Sequence, residues 1–374
     1  MLTPADDRAA HIAVCRQQSH ALQAEHQPLA ALASLRECAA RYPDAGDLHF
    51  DLAMMLTHVG RLEEGEALLR ALLAQNSGAA DVRYALALTL LAEGKYAEAW
   101  PLHAARETVF AAQDFGLRTD FPFSRCISGE LAGRRVLVFP EQGLGDQIQL
   151  VRFLPWLRDR CAAIELLALP PLARLFSHSF PDIRVTLAAG EVQFQDPDCW
   201  LTPFDLPALA GATLETLPQP PYLRTSIGWG DAPPGFKVGI MLQGNRAHML
   251  DGMRSLPPAV AAALRERLQG TVIDLDPART GALDLAATAA IIDGLDLVVS
   301  VDTAVGHLAG ALGKPCLLLV PGYATDWRWL RDRRDSPWYP HHRLYRSTVE
   351  GDWSAAIECL TGDARAFARG EMPT

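Results

Sequence analysis

Two patterns of apolar positions divide the chain. In the front third the pattern itself repeats: Leu52-Ala53 returns as Leu86-Ala87, and Gly60-Arg61-Leu62-Glu63-Glu64 returns as Gly94-Lys95-Tyr96-Ala97-Glu98, each 34 residues on. A fainter copy stands 34 residues earlier, where Ala33, Leu35 and Arg36 answer Ala67, Leu69 and Arg70, and His26 takes the place of the glycine. A fixed period of this length predicts paired helices whose apolar faces are buried only against the next pair. Gly60 and Gly94 suit the turn between the two helices, because glycine accepts positive φ at no steric cost. After residue 115 short β-rich runs alternate with helical stretches. Strands are predicted at 135–139, 164–169, 184–187, 237–242, 271–275, 296–300 and 316–320, with an apolar helix over 145–160. Strands alternating with helices imply parallel sheets covered on both faces. Proline and glycine mark connectors at Phe121-Pro122-Phe123, Gly129 and Gly133, and again from Pro218, Pro220 and Pro221 to Pro233-Pro234.

The front third resembles tetratricopeptide repeats, with two good copies and one degraded copy across roughly residues 10–110. Three repeats are about the minimum for a stable array, so the last helix, around 98–109, is expected to pack on the domain that follows. Such an array serves either as a structural cap or self-association surface, or as a platform for a protein or peptide acceptor. The expected fold class is α + α/β: helical repeats over 1–115, a first Rossmann-like domain over 116–225, a second over 236–346, and a C-terminal helix and tail over 347–374.

Two segments carry candidate chemistry, each between a strand and a helix, where open α/β sheets bind ligands. The first is Glu141-Gln142-Gly143-Leu144-Gly145-Asp146. Its glycines let backbone approach a ligand, and Asp146 either caps the helix or acts as a base. The second is Asp302-Thr303-Ala304-Val305-Gly306-His307. Asp302 can cap the helix or bind a hydroxyl, Thr303 and the amides after it can hold phosphate oxygens, and His307 lies one turn on. A lone histidine in such a place is more often a satisfied core residue; its spacing from Thr303 favours a ligand contact.

Composition narrows the class. With 49% hydrophobic and 21% charged residues the chain is globular, and its net charge of −10 argues against a general nucleic-acid binder. Lys237, Arg246, His248 and Arg254 nevertheless form a local basic excess suited to an anion. The seven cysteines are scattered without a CxxC pair, which predicts neither a disulfide framework nor a zinc ribbon and points to a reducing compartment, most simply the cytoplasm. The opening residues are too acidic for a signal peptide, and no apolar run is long enough for a membrane span. The Asp-x-Asp triplets at Asp196/Asp198 and Asp274/Asp276 and the pair His341-His342 lack the partners of a metal site, so no metal and no cofactor is expected.

Taken together, Glu-Gln-Gly-Leu-Gly-Asp at 141–146, Asp-x-x-Arg-Ser at 251–255, the Asp-Thr-Ala-x-x-His run from 302, Asp-Trp-Arg-Trp at 326–329 and Ser-Pro-Trp-Tyr-Pro at 336–340 resemble glycosyltransferase family nine, in particular bacterial proteins that fuse tetratricopeptide repeats to such a domain. The resemblance covers about residues 45–355. It implies a GT-B fold of two Rossmann domains, a nucleotide-sugar donor held mainly by the second, and inversion without a metal. It makes Asp146 the general base; because a carboxylate beside a helix start is a weaker base, Glu141 stays as the other candidate. The donor would be held by Gly143, Gly145, Asn245, Arg254, Ser255, Asp276, Asp302, Thr303 and His307, with Arg254 neutralising the diphosphate and Asp276 a possible ribose contact. The acceptor would be a hydroxyl on a protein or peptide, or on lipopolysaccharide or another glycan. Gln243, Asp276, Ala287 and the short 276–284 loop depart from the family pattern and leave open a binding protein without turnover. The late aromatics Trp327, Trp329, Trp338 and Tyr339 are expected at the cleft edge or against a C-terminal helix near 353–360.

Overall fold

The computed structural model describes residues 4–110, 123–126, 130–225, 227–230, 232–247 and 250–371. The connector residues Phe121, Pro122 and Gly129, the boundary at 115–116 and His248 lie outside them. The chain divides into two compact units.

The first unit holds seven helices: α1 (Pro4–Ala24), α2 (Pro28–Arg41), α3 (Gly46–His58), α4 (Leu62–Gln75), α5 (Ala80–Ala92), α6 (Tyr96–His103) and α7 (Arg106–Phe110). The 34-residue period is visible in the backbone: Gly60 and Gly94 turn α3 into α4 and α5 into α6 at φ +87° and +81°, and His26 adopts the same left-handed turn at +57°. Surface ion pairs keep the period too, since Arg36 meets Glu64 and Arg70 meets Glu98, both at 2.6 Å. Residues 320–333 and 346–355 belong to this unit, although the sequence assigns them to the second Rossmann-like domain and the tail. The cause is aromatic packing. Trp327 lies edge-on to Tyr96 and Trp100, and the Tyr323 hydroxyl reaches Gln23 at 3.0 Å. The Ala324 amide and the Arg331 guanidinium both donate to the carbonyl of His58. What packs on the last repeat helix is therefore this late segment.

The second unit contains two sheets. The first runs β3-β2-β1-β4, all parallel, from β1 (Arg135–Val138), β2 (Ala163–Ala168), β3 (Arg184–Leu187) and β4 (Cys199–Leu201). Helices α8 (Leu144–Leu150), α9 (Leu154–Arg158), α10 (Pro170–Ser179) and α11 (Leu206–Leu209) accompany it. The second runs β6-β5-β7-β8-β9, from β5 (Lys237–Met241), β6 (Thr271–Asp274), β7 (Leu297–Val301), β8 (Cys316–Val320) and β9 (His342–Arg346). With it come α12 (Asp251–Arg254), α13 (Pro258–Arg267), α14 (Pro277–Thr280), α15 (Leu285–Asp293), α16 (Ala304–Ala311) and α17 (Ser354–Ala368). The inner strands β1, β7 and β8 are buried almost throughout, as a sheet covered on both faces requires. Three sequence expectations change. The helix expected over 145–160 is broken by a 3-10 turn at Val151–Phe153, because Pro155 has no amide to continue the ladder. Strands β4 and β9 were not foreseen: one is three residues long, the other is rich in charge.

The cysteine reading is corrected as well. Cys15 on α1 is bonded to Cys38 on α2, and Cys126 to Cys199 on β4. These partners lie 23 and 73 residues apart, and sequence spacing does not disclose which distant segments meet. The cysteine case for a reducing compartment falls with it. No helix among the described residues is long and apolar enough to cross a membrane.

Candidate active site

Both motif turns sit in the second unit at the carboxyl ends of inner strands. The first leaves β1 and enters α8. Gln142 is forced to φ +58°, a strained conformation for a residue with a Cβ. Gly143 caps the helix in an extended conformation, and its amide donates to Asp146 Oδ2 at 2.8 Å. Asp146 thus closes its own turn with one carboxylate oxygen. Glu141 is tied elsewhere: the Thr202 hydroxyl donates to its carboxylate.

The second turn leaves β7 and enters α16. Thr303 is extended at the helix start, and its hydroxyl lies 3.2 Å from that of Ser300. His307 is 6% exposed, with Nε2 3.9 Å from Asp302 Oδ1 and Nδ1 3.0 Å from the Tyr339 hydroxyl.

The two turns touch. A Cβ on Gly145 would stand 2.8 Å from His307 Cδ2 and 3.5 Å from the Cα of Ala304. Only glycine at this position lets α8 and α16 approach so closely, which brings Asp146, Asp302, Thr303 and His307 to one place.

Arg254 joins them from α12. Its Nη1 donates to the Asp302 carbonyl at 3.3 Å and its Nε to Asp251 Oδ1 at 3.2 Å. Ser255 accepts the Gly244 amide at 2.8 Å and donates to the same Asp251 oxygen at 2.9 Å. Asp251 therefore orients both, a role that the spacing of Asp-x-x-Arg-Ser contains but that no single-residue reading isolates. Gly244 is packed against Arg254, where a Cβ would meet Nε at 2.8 Å.

Gly244 also lines a cavity of about 680 Å³ at the ends of β5 and β6, shared with Gln243, Arg246, Arg265, Asp276 and Arg279. That volume falls in the range of small-molecule sites. Asp276 caps α14 through the Ala278 amide at 2.9 Å and faces this cavity. Asn245 stays outside its lining, exposed, with its side chain accepting from the Ala247 amide. Lys237 drops out of the basic group: it opens β5 and so lies at the opposite strand end, near Asp296. The Asp-x-Asp triplets have protein donors, Asp198 from Arg135 and Asp274 from Arg265. Ala287 receives the N-cap of α15 from Asp284, whose carboxyl the Arg174 guanidinium holds below its usual range.

The late aromatics separate. Trp338 and Tyr339 surround the buried Arg152 guanidinium, while Trp327 packs in the first unit. Behind the second turn His342 Nε2 lies 3.1 Å from the Gly306 carbonyl, and burial pushes this imidazole down to about 3, so it is neutral at pH 7.

Residues 259–322 match the model of glycosyltransferase family 9 (heptosyltransferase). Protein FlbA of Caulobacter vibrioides is 27% identical over an alignment of 383 positions that covers 87% of this chain and 62% of that protein. The chain thus spans about three fifths of the relative's length. Among solved structures, the glycosyl transferase family 9 protein of Veillonella parvula is 12% identical over 66% of this chain and 91% of its own, with a TM-score of 0.43. The E. coli heptosyltransferase WaaC, solved with ADP-2-deoxy-2-fluoro heptose, is 13% identical over 63% of this chain and 99% of its own, with a TM-score of 0.39. The family match, which spans the second turn and most of its sheet, supports a glycosyltransferase.

Proposed function

We propose that the protein is an inverting glycosyltransferase that moves a sugar from a nucleotide-sugar donor to a hydroxyl on a protein or peptide, with no metal in the transfer step. The observation that carries this reading is the contact of Gly145 with His307. It sets a carboxylate at one helix start against a cluster of donors at another, beside a cavity of nucleotide size.

In the reaction the acceptor oxygen attacks the anomeric carbon on the face opposite the diphosphate. The carbon–oxygen bond to phosphate breaks, and its electron pair leaves with the diphosphate. Asp146 takes the hydroxyl proton on its carboxylate. Because that carboxylate is also a helix-start ligand, it is a base best matched to a late transfer, when the attacked hydroxyl has already become acidic. The growing phosphate charge is met by Arg254, the amides that open α16 and His307. These are preorganised donors of the kind that stabilise a leaving group without reorganisation. The base and ribose lie in the cavity, with Asp276 toward the ribose. The helical repeats favour a protein or peptide acceptor over a glycan.

Purified protein incubated with a panel of nucleotide sugars and a cell extract as acceptor source should release nucleoside diphosphate from one donor and label a protein band. Release with labelling confined to glycan would replace the acceptor class. Saturable donor binding with no release from any donor would reduce the protein to a binding module.

A further inference from the structure

Behind His307 lies a chain of polar groups, buried except for the half-buried Tyr222, that the transfer chemistry does not itself call for. It begins at Arg152, which is 1% exposed. Its Nε donates to the Gln149 carbonyl at 2.8 Å, and Nη1 to the carbonyls of Pro218 at 3.1 Å and Trp338 at 2.9 Å. Nη2 donates to the Tyr222 hydroxyl at 3.0 Å. Its plane is boxed by the rings of Tyr222, Trp338 and Tyr339, 4.6, 5.0 and 4.8 Å from the guanidinium carbon, a setting that stabilises a buried cation. The Tyr222 hydroxyl stands 3.5 Å from that of Tyr339, and the Tyr339 hydroxyl 3.0 Å from His307 Nδ1.

The first member of this chain biases the direction of its protons. A guanidinium has five donors and no acceptor. The Tyr222 oxygen therefore accepts from Arg152, which favours turning its own proton toward the Tyr339 oxygen 3.5 Å away. In that arrangement the Tyr339 oxygen accepts, and its proton turns toward Nδ1 at 3.0 Å. An imidazole that accepts at Nδ1 carries its proton on Nε2. Nε2 is the atom beside Asp302, and it would stand 3.5 Å from a Cβ on Gly145. It faces the junction of the two turns.

The seat of Tyr339 is built for this. Gly310 lies on α16 where a Cβ would collide with the Tyr339 ring. Glycine is a poor helix former beside alanine, so its presence here is explained by the ring it admits. His342 stacks on the other side, with centroids 4.8 Å apart and an interplanar angle of 29°.

We infer that Tyr339 is a positioning residue: driven by Arg152 through Tyr222, it locks His307 as the Nε2–H tautomer and so presents a neutral N–H donor to a diphosphate oxygen. The second half of this statement rests on the glycosyl-transfer reading; the first does not.

The test uses full-length protein labelled with ¹⁵N-histidine, with the His307 signals identified by their loss in His307→Gln. Wild type should show an unprotonated, hydrogen-bonded Nδ1 and a protonated Nε2 at pH 7. Tyr339→Phe, which keeps the ring in its seat, should shift His307 toward a mixture of tautomers. Tyr222→Phe, one hydroxyl further back, should shift it less in the same direction. Inorganic pyrophosphate should bind about tenfold more weakly to Tyr339→Phe than to wild type. A proton on Nδ1 in wild type, or the same tautomer in Tyr339→Phe, overturns the lock. Equal pyrophosphate affinity in the two proteins overturns its role in binding. Pyrophosphate that binds to neither overturns the diphosphate reading, and the imidazole signals then decide the proton's place by themselves.

Discussion

The turns that open α8 and α16 have the same architecture and opposite chemistry. Each follows an inner parallel strand, and each begins with an extended cap residue, Gly143 in one and Thr303 in the other. At the first, the acidic side chain folds back on the Gly143 amide, which leaves a carboxyl group at the helix start. At the second, the acidic residue sits before the helix, its carbonyl is covered by Arg254, and the groups that follow are donors. In the proposed reaction one backbone solution would serve as a proton acceptor or as an anion holder according to where the carboxylate falls relative to the helix start. A displacement with a charged leaving group needs one of each, on opposite sides of the reacting carbon.

The largest effect should come from removing the charge of the first turn without unmaking it. Asp146→Asn retains an oxygen for the Gly143 amide, so the fold should hold, while turnover falls by about 10²–10⁴, the usual contribution of a positioned base. Donor affinity should stay within about twofold. Steady-state assays with isothermal titration would show this, and a variant with unimpaired turnover would return Asp146 to a purely capping role. Next comes the separation of the turns. Gly145→Ala places a Cβ 2.8 Å from His307 Cδ2, and the shift needed to relieve it should lower kcat/KM by about a hundredfold. Unchanged kinetics would mean that the contact is not part of the working site.

Arg254→Ala acts on the second turn alone. Loss of a charge-assisted hydrogen bond should weaken nucleoside diphosphate binding by about 10- to 100-fold, with lysine restoring a part. An unaltered affinity would detach Arg254 from the phosphate.

A separate effect is on stability with pH rather than on turnover or binding. His342, buried behind the second turn, titrates at about 3 in the folded protein against a usual value of 6.5. Above 6.5 both states are neutral and its contribution is complete. Below 6.5 the unfolded chain takes up a proton that the folded chain refuses, and stability falls until the folded group itself titrates. Between pH 6.5 and 4 this should amount to on the order of 3 kcal/mol. Urea unfolding at several pH values should show a shallower decline in His342→Gln; parallel declines would assign the acid sensitivity to other groups, such as His58, which burial pushes down to about 4.

How much of this is legible in the sequence depends on how local its cause is. The repeat register was plain because a helical hairpin needs a left-handed residue at its turn, and Gly60, Gly94 and His26 stand 34 residues apart. The two strand–helix turns were plain for a like reason. The residues that hold the site together were not. Asp251 bridges Arg254 and Ser255 only once α12 forms. Gly310 looks like any small helix residue until Tyr339, 29 positions later, is laid against it. Trp327 was expected at the cleft edge, but its partners Tyr96 and Trp100 lie more than two hundred residues earlier. The disulfide partners failed for the same reason: proximity across the fold leaves no mark on spacing.

Titration of ADP and of UDP into the wild type and three variants, followed by calorimetry, addresses the division of labour between the turns most directly. The expected result is one site per chain for at least one of the two nucleotides, weakened by an order of magnitude or more in Arg254→Ala and clearly in His307→Gln, and preserved in Asp146→Asn. Binding that ignores Arg254 and His307, or that Asp146→Asn abolishes, would contradict it.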